Sequence, residues 1–138
     1  MTDKEVLLEI HHLKAYFPVK RKSMKEAKKV VKAVDDISID IFRGETLGIV
    51  GESGSGKSTF GRAILKLVEP TAGEILYKGQ AIHHLKGSEL QKYRNQMQMI
   101  FQDPFASLNP RMRIGAIIEE PMALQLPLTK EQRKKRVR

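Results

Sequence analysis

Apolar and polar positions alternate along most of the first half of the chain. Val6-Leu7-Leu8-Glu9-Ile10 and then Leu13 to Phe17 have strand character, and Pro18 ends the run because it has no N–H to offer a ladder. Lys20 to Lys29 is polar and basic, an exposed hairpin loop or a frayed helical insert. Val30-Val31-Lys32-Ala33-Val34 is apolar again, and Asp35-Asp36 is expected to turn the chain. Ile37, Ile39 and Ile41 then alternate with Ser38, Asp40 and Phe42, the period of a half-buried strand. Arg43-Gly44-Glu45 predicts a tight turn into a further strand, Thr46 to Val50.

Helical spacing follows. Phe60, Ala63, Ile64, Leu67 and Val68 fall at i, i+3, i+4, i+7 and i+8, one apolar stripe, and Glu69-Pro70-Thr71-Ala72-Gly73 is expected to end that helix. Glu74 to Tyr77 predicts a short strand closed by Gly79, and Ser88 to Arg94 a short helix with Ser88 as cap and Gln91 three residues on. Met97, Met99 and Phe101 alternate with Gln98 and Ile100 in a strand that stops at Gln102-Asp103-Pro104, its methionines filling core. Arg111 to Glu120 carries Ile114, Ile117 and Ile118 at helical spacing, with Pro121 disturbing the helix. Thr129-Lys130-Glu131-Gln132 is a capping box that opens a last, basic helix. The sequence stops inside that helix without a cap, so a cut chain is expected.

A length of 138 residues suits one domain with a sizeable core, too short for two. There is no cysteine, which removes disulfides and thiolate metal sites. The four histidines form two adjacent pairs, His11-His12 and His83-His84; neighbours on a strand point to opposite faces, so neither pair chelates by itself. No apolar run approaches a membrane span and the first residues lack a signal-peptide core, so a cytoplasmic location is expected. The net charge of +9 is concentrated in Lys20 to Lys32 and Lys130 to Arg138. No aromatic residues interleave with these basic runs, as a nucleic-acid stacking platform would require, and they are read as solvated faces without nucleic acid as partner.

The densest chemistry lies between strand and helix patterns. Gly51-Glu52-Ser53-Gly54-Ser55-Gly56-Lys57-Ser58-Thr59 follows G-x-x-x-x-G-K-[ST], directly after Leu47-Gly48-Ile49-Val50. Backbone N–H groups must converge on a polyphosphate, and Gly51, Gly54 and Gly56 let the chain curl tightly enough. Lys57 supplies an ammonium for the β- and γ-phosphates, and the Ser58 hydroxyl is placed to ligate Mg²⁺ at the start of a helix whose dipole favours anions. Glu52 is read as a solvated loop position without a catalytic role.

This loop, Phe101-Gln102-Asp103-Pro104 and Ser107-Leu108-Asn109-Pro110-Arg111 together resemble an ABC transporter ATPase, more narrowly the ATP-binding subunits of bacterial dipeptide and oligopeptide importers. The similarity runs from Leu13-Lys14-Ala15-Tyr16-Phe17-Pro18 to the basic helix. It implies an α/β fold: a P-loop NTPase core with an N-terminal antiparallel β subdomain over about residues 1–103 and the start of a helical subdomain over about 104–138, incomplete. It implies that Tyr16 stacks on adenine, with Phe17 as competitor, and that Gly51, Ser53, Gly54, Ser55, Gly56, Lys57, Ser58 and Thr59 hold ATP. Gln102 would offer its amide oxygen to Mg²⁺ or to an attacking water, and the loop after it would report the nucleotide state. The implied partners are a second ATPase subunit, identical or not, transmembrane permease subunits at the cytoplasmic face and, indirectly, an extracytoplasmic solute-binding protein.

Hydrolysis in that family also needs an acidic strand with its aspartate and following glutamate, a switch histidine and a signature loop. None of these is present between Met1 and Arg138. Negligible hydrolysis is therefore expected of this chain alone, together with exposed apolar surface. Two other readings remain at this stage, another P-loop hydrolase or kinase, and a basic module that binds nucleic acid or a membrane surface.

Overall fold

The computed structural model describes residues 4–20, 27, 29–103 and 108–137. The chain divides into two compact units, Met1–Met97 and Gln98–Arg138.

The first unit is a four-stranded antiparallel sheet with two helices. Strands β1 (Val6–Pro18) and β2 (Val30–Phe42) form a long ribbon, helix α1 (Lys57–Ile64) follows, then β3 (Ala72–Tyr77), β4 (Gln80–Ala81) and helix α2 (Gly87–Arg94). The strand order is β2-β1-β3-β4. The Val19 N–H on the Lys29 carbonyl closes the base of the β1–β2 ribbon; most of Lys20 to Lys29, expected as a hairpin loop or a frayed helical insert, falls outside the described residues.

Burial along β1 shows why it bends. Leu8 and Ile10 face the core, then Leu13 and Ala15 do, so the two-residue period slips by one at His12. His12 takes a left-handed φ of 50°, and the register with β2 shifts between Ile10 and Leu13. This bulge lets all four apolar side chains face one side. Asp36 on β2 is the counterpart, with φ 63°. The expected turn at Asp35-Asp36 is thus a bulge inside one continuous strand. It is tied by the His12 Nδ1 to Asp36 Oδ1 contact at 2.9 Å, the Lys14 ammonium at 3.6 Å and the His12 N–H on Ser38 Oγ at 2.8 Å.

Helix α1 buries Phe60 and Ala63 against this sheet, with Ile64 and Val68 partly covered and Leu67 exposed. It ends at Ile64, earlier than Glu69-Pro70, because Lys66 turns to φ 51° and buries its ammonium against the carbonyls of His83 and Leu85 and the Glu69 carboxylate. The Arg94 guanidinium donates to the Leu65 and Lys66 carbonyls, satisfying acceptors that the helix end leaves open. Lys78-Gly79, both with positive φ, form the two-residue turn between β3 and β4. Helix α2 starts at Gly87, whose φ is 55°. Lys86 is its cap residue and makes no side-chain bond, so Ser88 is in the first turn instead of at the cap.

Two expected strands do not form. Thr46 to Val50 and Met97 to Phe101 lie outside all four ladders, and Val50 and Ile100 are each 96% exposed. A continuous apolar run becomes a strand only beside a neighbour, and no described strand pairs with either segment.

The second unit is a helical hairpin of α3 (Ile114–Gln125) and α4 (Lys130–Val137). Helix α3 starts three residues after Arg111 and continues through Pro121 to Gln125. The proline removes one hydrogen bond while the flanking turns hold. The capping box forms as expected, with the Thr129 N–H on Gln132 Oε1 at 2.8 Å and the Gln132 N–H on Thr129 Oγ1 at 3.3 Å. Arg133 bridges the helices through Glu119 at 3.1 Å and the Leu128 carbonyl at 2.7 Å. Ile114, Ile118 and Leu124 are exposed. Among the described residues no helix is long and apolar enough to cross a membrane.

Gly73 packs opposite the His12 bulge: its φ is 100°, and a Cβ there would meet the His12 carbonyl oxygen at 2.5 Å and Leu13 Cα at 2.6 Å. Gly79 has φ 73° with open space around it. Gly73→Ala is therefore expected to destabilise the chain by about 2–4 kcal/mol, from backbone strain plus a clash with rigid backbone. Gly79→Ala should cost about 1–2 kcal/mol, from strain alone. Urea unfolding of the two variants checks the order.

Candidate functional site

The loop from Gly51 runs into α1 through two left-handed glycines. Gly54 has φ 81° and Gly56 φ 95°, and the Ser55 N–H closes a turn on the Glu52 carbonyl at 3.3 Å. Gly56 is the cap residue of α1 and has no side chain to offer, so the first-turn N–H groups of the helix meet no side-chain cap. Those donors and the positive end of the helix dipole suit an anion. The same glycine seats the loop on the sheet: a Cβ at residue 56 would lie 1.9 Å from the Ala33 carbonyl oxygen on β2.

Lys57 reaches back across the curl. Its ammonium donates to the Gly51 carbonyl at 2.7 Å, the Glu52 carbonyl at 2.6 Å and Ser55 Oγ at 3.3 Å. The positive charge is thus held on the loop's concave side, within reach of any phosphate the N–H groups would hold. Ser58 is exposed in the first turn, and Thr59 is half-buried. The residues fit a magnesium-bound polyphosphate: N–H donors, one ammonium and a hydroxyl, with no carboxylate among Ser53 to Thr59. Beside the loop a cleft of about 340 Å³ is walled by Ile37, Ile39, Ile49, Val50 and Phe60.

Tyr16 stands at the same end of the ribbon. It pairs across the ladder with Lys32, the residue before Ala33. Its hydroxyl donates to Asp35 Oδ1; Lys32 Nζ lies 3.2 Å from Asp35 Oδ2 and 5.3 Å from the Tyr16 ring centroid. The Tyr16 N–H donates to Thr71 Oγ1 at 2.8 Å, tying β1 to the segment after α1. Lys32, Asp35 and Thr71 escaped the sequence reading. Asp35 looked like a turn residue, and only the β1–β2 register brings it under the phenol. Phe17 is exposed and pairs with Val31.

Gln102 belongs to the second unit, where it is exposed in a bend. Pro104, which ends its motif, and Ser107, which opens the next, fall outside the described residues. Asn109 accepts the Arg111 N–H at 3.0 Å, a local turn.

A family profile described as ABC transporter matches residues 34–137. The chain is 52% identical over 139 residues to the oligopeptide transport ATP-binding protein OppF of Bacillus subtilis (strain 168), covering 99% of this chain and 43% of that protein. It is 51% identical over 140 residues to the dipeptide transport ATP-binding protein DppF of Lactococcus lactis subsp. cremoris, with the same two coverages. The chain thus spans about two-fifths of the length of these relatives. Among solved structures it is similar to the dimeric ATP-binding cassette MJ0796 in a post-hydrolysis state bound to ADP and Pi. There the TM-score is 0.73 and the identity 26%, covering 95% of this chain and 54% of that one.

The Tyr16 cluster has a testable titration. The hydrogen bond to the Asp35 carboxylate, then desolvation, raise the Tyr16 phenol above its ordinary 10.0, against the opposing charges of Lys32 and Lys14. Asp35 is held below 3.8, by the Tyr16 hydroxyl first and Lys32 next. Because the folded phenol pKa is raised, this link is at full strength below the ordinary tyrosine value and is lost as pH rises through the folded one. Because the folded Asp35 pKa is lowered, its contribution is present above 3.8 and is lost as pH falls through the depressed value. In a tyrosinate absorbance titration the Tyr16 phenol should ionise late, and Asp35→Ala should return it towards its ordinary value. An unchanged profile in the variant would remove the link.

Proposed function

The chain belongs to the ABC transporter family, and from that premise we propose that it is the nucleotide-binding N-terminal part of the ATP-binding subunit of a peptide importer. The observation that carries the reading is the Gly51 to Thr59 loop, seated by Gly56 on the Ala33 carbonyl with the Lys57 ammonium across its concave side. The peptide assignment draws on the names of the relatives, which are oligopeptide and dipeptide transport ATP-binding proteins.

In this reading the backbone N–H groups of Ser53 to Thr59 wrap the phosphates, Lys57 neutralises the β- and γ-phosphates, and the Ser58 hydroxyl ligates Mg²⁺. Tyr16 stacks on the adenine. Gln102 presents its amide oxygen to the metal or to the attacking water without adding charge, and the loop after it signals to the permease. Bound Mg-ATP supplies the phosphoanhydride whose cleavage resets the transport cycle. Residues 104–138 begin the helical subdomain. The complete protein works at the cytoplasmic face of the membrane with a second ATPase subunit, identical or not, and transmembrane permease subunits; a solute-binding protein acts through the permease. The dimeric state of the similar MJ0796 structure supports the paired arrangement.

Phosphoryl transfer depends on charge neutralisation spread over several groups, and a catalytic carboxylate is not among the residues assigned here. Titration calorimetry of the 138-residue chain with Mg-ATP should show binding that Lys57→Ala weakens roughly ten- to hundredfold, the loss of a charge-assisted contact. Phosphate release in the same buffer should stay at background. Binding indifferent to Lys57 would overturn the site, and robust Lys57-dependent hydrolysis would point to a different phosphate-loop enzyme.

A further inference from the structure

We propose that Asp35, braced by Lys32, is a positioning residue that locks the Tyr16 ring in place as a one-sided platform for the nucleotide base. The inference rests on the reading of Tyr16 as the adenine-stacking residue and assigns how this chain holds it ready.

The backbone of Tyr16 is fixed from two sides. It is paired in the ladder with Lys32, and its N–H is bound by Thr71 Oγ1. What remains free is the side chain, which is half-buried near the end of β1 and would otherwise rotate. Asp35 removes that freedom with both carboxylate oxygens, one accepting from the Tyr16 hydroxyl and the other 3.2 Å from Lys32 Nζ. The Lys32 ammonium in turn lies over the Tyr16 ring, 5.3 Å from its centroid. The three side chains form a closed triangle: hydroxyl to carboxylate, carboxylate to ammonium, ammonium to ring. One ring face is covered by Lys32, which directs a base to the opposite face.

Because Ala33, between Lys32 and the Val34–Asp35 step, is the residue on which Gly56 is seated, the same four residues of β2 carry both the phosphate loop and the ring clamp. The distance from base platform to phosphate site is thereby set by one short stretch of strand. A ring ordered before the base arrives spares the binding step the loss of rotational freedom, worth roughly three- to tenfold in affinity.

Titration calorimetry with two probes, Mg-ATP and inorganic magnesium tripolyphosphate, isolates the base from the phosphates. Asp35→Ala should weaken Mg-ATP about three- to tenfold and leave tripolyphosphate unchanged. Tyr16→Phe keeps the ring and the Lys32–Asp35 ion pair but cuts the hydroxyl link, and should lose a similar factor. In the Tyr16→Phe background, Asp35→Ala should then add little, since the link is already gone. Equal losses on both probes, or an undiminished Asp35→Ala loss in that background, would mean that Asp35 acts through the ribbon and not through the ring, and the proposal fails. Tyr16→Ala separates the underlying reading: if it leaves the ratio of ATP to tripolyphosphate affinity unchanged, the platform itself is wrong. If it lowers the ratio while Asp35→Ala does not, the clamp alone is wrong.

Discussion

The contact between Gly56 and the Ala33 carbonyl is the constraint on which the site depends. A loop that wraps phosphate must be held against something rigid, since its donors converge only in one backbone conformation. Here the support is Ala33 in the first part of β2, and the clearance leaves no room for a Cβ. The glycine therefore does two jobs at once, supplying the left-handed turn into α1 and permitting close approach to the strand. Lys57 follows immediately, and its bonds to Gly51, Glu52 and Ser55 close the curl from the inside.

What keeps β2 in place is the bulged pairing with β1. Left-handed residues His12 and Asp36 shift the period so that Leu8, Ile10, Leu13 and Ala15 all reach the core, and Gly73 lets β3 pass close to the bulge. Without the slip, half of these side chains would face solvent. The core so formed accepts Phe60 and Ala63 from α1, which fixes the direction in which the helix leaves the loop. At the far end of α1 a buried lysine replaces the expected proline stop, because the His83 and Leu85 carbonyls of the β4–α2 connection and Glu69 satisfy its charge. Packing, loop geometry and the placement of the Lys57 ammonium are one connected arrangement.

Membership in the ABC transporter family, shown by the match over residues 34–137, agrees with the resemblance carried by the loop, Phe101-Gln102-Asp103-Pro104 and Ser107-Leu108-Asn109-Pro110-Arg111. Sequence patterns were most informative where chemistry is local. The capping box at Thr129, the glycines of the loop and the Lys78-Gly79 turn depend on neighbours a few residues apart, and each was readable or nearly so. Patterns misled where an outcome depends on a distant partner. Asp35-Asp36 looked like a turn because two adjacent carboxylates favour one, yet cross-strand bonds to His12 and Lys14 hold a bulge within a continuous strand. Thr46 to Val50 read as a strand from its apolar run and Met97 to Phe101 from its alternation, but a ladder requires an adjacent strand and none of those described pairs with them.

The sequence by itself determined the glycine-rich motif from Gly51 to Thr59, with its lysine and hydroxyl, and the family, because spacing along a chain dictates which groups a tight turn can bring together. Only the tertiary structure decided which strand seats the loop, that Asp35 and Lys32 surround the Tyr16 ring, and that Lys66 is buried with its charge satisfied. These depend on register between strands and on side chains up to 55 residues apart in sequence, as with Tyr16 and Thr71. A register is set by the summed packing of a whole ribbon, so no local run of residues carries it.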